Sequence, residues 1–178
     1  MEGLRAECDV RVVSIIREAK RDAMAAGPGG FNLLGALQDP KFTPIIRYLA
    51  NVLSEDSAAV GDLVDEVVAD AEGYIELGAE SGMMRRTDNP GGVAAILAVW
   101  QLGALVMHRH VERIFGVDPT DVGTGVHPEM AGYLAPGYEI LSEGILTKEA
   151  AAALQSAVAA LADAPRNSGE STQNEGTQ

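Results

Sequence analysis

Few side chains in this sequence can do chemistry, and their spacing narrows what that chemistry is. His108 and His110 lie two apart, which on a helix places them on nearly opposite sides, so they cannot share a metal as residues four apart can. Cys8 is the only cysteine and falls on an apolar stripe; it reads as a small core residue, because a reactive thiol needs exposure and a positive setting. The turn Gly27-Pro28-Gly29-Gly30 lacks the Gly-Lys-Ser/Thr of a phosphate loop and follows a helix instead of a strand. There is no Gly-x-Ser-x-Gly, no His-Glu-x-x-His and no cysteine–histidine cluster, while Asp62, Asp65, Glu66, Asp70 and Glu76 read as a solvated face. The sequence therefore predicts no catalytic residue, no metal and no cofactor.

What remains is binding. Gln101 is the only polar side chain between Val93 and Met107, and it shares a helix face with His108 seven residues on. A buried amide needs partners, and three uses fit it: orienting a ligand, bonding its copy across a dimer axis, or meeting solvent at a gap. Tyr74, Ile96, Trp100 and Met107, with Gln101, form the candidate set for a small apolar ligand, since such sites are mainly apolar with a few fixed polar groups. Phe42 and Tyr48 have the same character, although ordinary core packing is the commoner role for all of these types.

The elements that must position these residues are helices throughout. Apolar residues recur every three or four positions, and no segment alternates with period two. Leu4, Cys8, Val12, Ile15, Ala19 and Ala23 mark a first amphipathic helix, with Arg5, Glu7, Asp9, Arg11, Glu18 and Lys20 in the other positions. It stops at the glycine-rich turn. Short helices follow over 31–37 and 43–53, with Pro40 and Pro44 tolerated in first turns. Ser54 is placed to cap a longer helix whose stripe is Val60, Val64, Val67, Ala71 and Ile75, ended by Gly82. Asp88 or Asn89 as cap and Pro90 at the first helical position then open a helix with unbroken periodicity to about Phe115.

That helix is apolar on two sides, through Val93, Leu97, Trp100, Ala104 and Met107 and through Ala95, Val99, Leu102 and Val106. A helix apolar all round must be covered all round, and in so small a domain a second subunit is the economical cover. A helix over about 128–145 carries Met130, Leu134, Tyr138 and Leu141, with Pro136 able to bend it, and Thr147 caps an alanine-rich helix to about Ala162. The segment 165–178 is almost free of apolar residues and reads as a disordered tail.

The 178 residues suit one domain. A net charge of −13 repels phosphate backbones and anionic lipid, so these residues alone should not bind DNA. One cysteine and the lack of a signal-like N-terminus point to the cytoplasm, and the apolar run 93–107 is shorter than the roughly 20 residues of a membrane span.

Two stretches resemble the C-terminal domain of TetR/AcrR-type regulators. One is Glu80-Ser81-Gly82-Met83-Met84-Arg85, followed by Asp88-Asn89-Pro90, the long apolar helix with His108 near its end, and Phe115-Gly116-Val117-Asp118. The other is Tyr138-Glu139-Ile140-Leu141-Ser142-Glu143-Gly144-Ile145-Leu146. The resemblance covers about Leu4 to Leu146 and implies an antiparallel helical bundle that dimerises by pairing 93–115 and 128–144 with their copies in a four-helix interface. Val99, Leu102, Val106, His110, Leu134, Tyr138 and Leu141 are the interface candidates. It divides the chain into a ligand-binding and dimerisation domain, 1–146, an extra helix, 147–163, and the tail, 164–178.

By the same resemblance the protein is a homodimeric repressor that reaches DNA only through a helix-turn-helix module. Nothing before Leu4 supplies one, and truncation, a late-assigned start and a stand-alone sensor all fit. A helical adaptor without ligand, or an unrecognised small-molecule enzyme, are the alternatives.

Overall fold

The computed structural model describes residues 2–30, 32, 35, 39–121 and 128–162. Most of the helix expected over 31–37, the glycines at 123 and 125, and the expected tail lie outside these residues. The described elements are all helical: α1 (Glu2–Ala25), a single turn α2 (Gly27–Gly30), α3 (Phe42–Val52), α4 (Ala58–Glu80), α5 (Pro90–Val106), α6 (His108–Phe115), α7 (Glu129–Ser142) and α8 (Lys148–Ala162). They fall into two compact units, Met1–Leu134 and Ala135–Gln178.

In the first unit the core gathers Val12 and Val13 of α1, Ile45, Leu49, Ala50 and Val52 of α3, Val60 and Leu63 of α4 and Leu105 of α5. The directions of the helices follow from their contacts. Arg5 pairs with Glu55 at 2.7 Å and Arg17 with Glu66 and Asp70 at 2.8 Å, so α1 runs alongside α4 in the same sense. α5 runs back along α4, because Gly91 at its start faces Glu72 while Leu105 near its end packs with Val60 and Leu63.

Local signals set several boundaries as expected. Asn89 caps α5 by accepting from the Gly92 amide at 2.9 Å, with Pro90 in the first turn. Gly82, at φ +78°, follows the end of α4. The Thr147 hydroxyl accepts from the Ala150 amide at 3.2 Å at the start of α8.

Three expectations are corrected. The N-cap position of α4 is Ser57, which makes no side-chain cap bond, and not Ser54, whose hydroxyl donates back to the Ala50 carbonyl at 3.0 Å. Cys8 is exposed, because the buried face of α1 is centred on Val12 and Val13. The long helix expected to run from Pro90 to Phe115 is two helices meeting at 79°. Met107, at φ −93° and ψ 16°, still bonds back to Gly103, but its carbonyl accepts from both His110 and Val111, at 2.8 and 3.1 Å. The all-apolar sequence becomes His108-Arg109-His110-Val111 at that point, and the new axis buries Val111 while its charged neighbours stay exposed.

In the second unit, α8 presents Leu154 and Val158 at its surface, and with Leu146 and Ala151 they line an open apolar groove. Among the described residues no single helix is long and apolar enough to cross a membrane; only α5 and α6 together pass that test, and they are sharply bent.

Candidate functional site

Helices α1, α4 and α5 bring Lys20, Tyr74 and Gln101 together. Lys20 donates from Nζ to Gln101 Oε1 at 2.9 Å, and the same nitrogen lies 5.9 Å from the centroid of the Tyr74 ring. Tyr74 is only 8% exposed, and its hydroxyl is buried without a hydrogen-bond partner. Burial, reinforced by the nearby Asp70 carboxylate, pushes the phenol up to about 12. Lys20 is half-buried, and desolvation lowers its ammonium below the ordinary lysine range.

The adjacent carboxylates are already engaged. Arg17 Nε donates to both oxygens of Asp70, at 2.9 and 2.8 Å, and its NH2 group reaches Glu66 at 2.8 Å. Those bonds hold the Arg17 guanidinium above its usual range, the Asp70 contact contributing most.

Of the five candidate ligand residues, Tyr74 and Gln101 meet at this cluster through Lys20. Ile96, Trp100 and Met107 lie on the outer face of α5 instead, each more than half exposed. Phe42 and Tyr48 pack against the core, and the Tyr48 hydroxyl donates to Asp9 at 2.6 Å. Lys20 was not singled out in the sequence, where it sits among the charged positions of α1; its signal is that it stands seven residues after the fully buried Val13 and so on the same face.

Among the interface candidates, Val99 and Val106 are 56% and 46% exposed, Leu102 is half-buried and His110 is exposed. Leu134 is half-buried; Tyr138 and Leu141, in the second unit, are about half exposed. His108 turns inward at the bend, its Nδ1 lying 3.4 Å from Asp118 Oδ1. Among the described residues no group of three or more histidine, cysteine or acidic side chains can hold a metal.

An all-helical domain with a half-buried polar cluster and a broad apolar surface on its central helix has the character of a binding and assembly module. The chain belongs to the tetracyclin repressor-like C-terminal domain family, whose model matches residues 40–147. A curated relative, the HTH-type transcriptional regulatory protein RaaS of Mycobacterium tuberculosis, is 24% identical over 149 residues, which is 84% of this chain and 68% of that protein. The reading as a regulator domain and not an enzyme accords with both matches. The matched region ends at residue 147, immediately before α8.

Proposed function

We propose that this chain is the effector-binding and dimerisation part of a TetR-like transcriptional regulator acting in the cytoplasm. The effector is a small, largely apolar molecule held among helices near Tyr74, Ile96, Trp100, Gln101 and Met107. A helix-turn-helix module, the feature by which the relative RaaS is named, would supply the DNA contact. Effector binding would act by favouring one packing of the paired helices over another.

One observation carries the reading. Along α5 and its C-cap, Val93, Ile96, Val99, Trp100, Val106 and Met107 are all exposed in the single chain, and an apolar run of this extent marks an interaction surface. A second copy is the cover this reading assigns, with Leu102, His110, Leu134, Tyr138 and Leu141 also at the interface.

Trp100 is the only tryptophan, so its emission reports the state of this face. Concentrated protein should emit at shorter wavelength and resist acrylamide quenching, and dilution or a Val99→Asp substitution should reverse both. Emission typical of exposed indole at every concentration would refute the proposal. A ligand-free helical adaptor is the second reading, favoured by the outward placement of Ile96, Trp100 and Met107; it predicts the same concentration dependence but no saturable small-molecule binding.

A further inference from the structure

The cluster of Lys20, Gln101 and Tyr74 contains more hydrogen-bond donors than acceptors. An ammonium has three donors, and Lys20 directs one of them to the neutral amide oxygen of Gln101. The Tyr74 hydroxyl is buried with its donor unused. Among the described residues Lys20 makes no ion pair, although the chain carries 26 carboxylate side chains. Asp70 and Glu66, on the neighbouring stretch of α4, are taken by Arg17.

A half-buried cation facing a neutral acceptor is poorly compensated, whereas an ionised partner adds charge-assisted hydrogen bonds. From this geometry we infer that the effector is an organic anion, an apolar body bearing one carboxylate or equivalent acidic group, whose head group binds Lys20 and also accepts from the Tyr74 hydroxyl. The two oxygens of a carboxylate provide enough lone pairs for both donors. Because Asp70 is neutralised by Arg17, the anion meets little opposing charge at this point even in a chain of net charge −13. The inference rests on the effector-binding reading above and narrows the chemistry of its ligand.

The test is calorimetric titration of the full chain at neutral pH with decanoate and 1-naphthoate. Each is compared with its neutral alcohol, 1-decanol and 1-naphthalenemethanol, below any aggregation threshold. At least one carboxylate should bind saturably, ten-fold or more tighter than its alcohol. Lys20→Met should remove that preference by weakening the acid far more than the alcohol, Lys20→Arg should retain most of it, and Tyr74→Phe should weaken the acid several-fold. Equal binding of acid and alcohol would overturn the anion while leaving the effector pocket standing. No saturable binding by any of the four would overturn both. The acid-to-alcohol ratio is read on the unsubstituted protein, so a variant that fails to fold does not remove the test.

Discussion

The Lys20 ammonium and the Gln101 amide, 81 residues apart in sequence, meet at 2.9 Å and tie α1 to α5. The bond is asymmetric in its consequences. Gln101 is largely at the surface and is readily rehydrated if its partner goes, whereas half-buried Lys20 is rehydrated only in part.

Gln101→Leu should therefore destabilise the chain by about 1 kcal/mol, as a partly desolvated donor loses its acceptor. Lys20→Met should change stability by no more than about 0.5 kcal/mol, since the stem still packs and no polar group is stranded. The double variant should match Lys20→Met alone. Urea denaturation of the four proteins checks this, and additive losses would count against the coupling.

Alkaline pH should weaken the fold through two tyrosines. Tyr48 is pushed up to about 12 by burial and by its bond to Asp9, and Tyr74 to about 12 by burial and Asp70. Both values are raised, so between pH 10 and 12 the unfolded chain releases protons that the folded chain keeps. The stabilisation is fully present below pH 10 and lost as pH rises through the folded value. Absorbance at 295 nm should show Tyr48 and Tyr74 of the four tyrosines ionising late in the folded protein, with Tyr133 also raised by burial, and Tyr74→Phe should remove one late step. Ionisation of all four near pH 10, with the fold intact, would contradict the burial described.

Asn89→Ala should cost about 1 kcal/mol by leaving the Gly92 amide unsatisfied in the first turn of α5. Gly92→Ala should cost less, since the Asn89 amide that a Cβ would meet can move aside and alanine favours the helix. Asn89→Asp should be close to neutral. Midpoints of chemical denaturation separate these outcomes.

The legibility of the sequence follows this division between local and distant causes. Asn89 with Pro90, Thr147 and Gly82 could be read because a cap or a stop depends on the few residues beside it. Ser54 and Ser57 are equally good caps by that rule, yet α4 starts after Ser57 without a side-chain cap bond, while the Ser54 hydroxyl bonds back to Ala50 and Arg5 holds Glu55 in the intervening turn. The bend at Met107 left no mark in the helical periodicity, because it depends on where Val111 finds cover. The exposed side of α5 was legible from its excess of apolar residues. Lys20 was not, because what makes it unusual is supplied by Tyr74 and Gln101 from other helices.

Salt should strengthen self-association. Two chains of net charge −13 repel one another, and the screening length shrinks from about 30 Å at 0.01 M to about 8 Å at 0.15 M ionic strength. An apolar contact between them gains from that screening. Light scattering across this range should show tighter dimers at higher salt, whereas dissociation by salt would indicate an interface held by ion pairs.

Sedimentation equilibrium of the full chain at micromolar concentration bears most directly on the apolar face of α5 around Val99 and Trp100. A mass of twice the 18.6 kDa chain is predicted, falling to one chain for the Val99→Asp/Val106→Asp variant with its helical content unchanged. A monodisperse single chain for the unsubstituted protein, at the same concentration and 0.15 M salt, would contradict it.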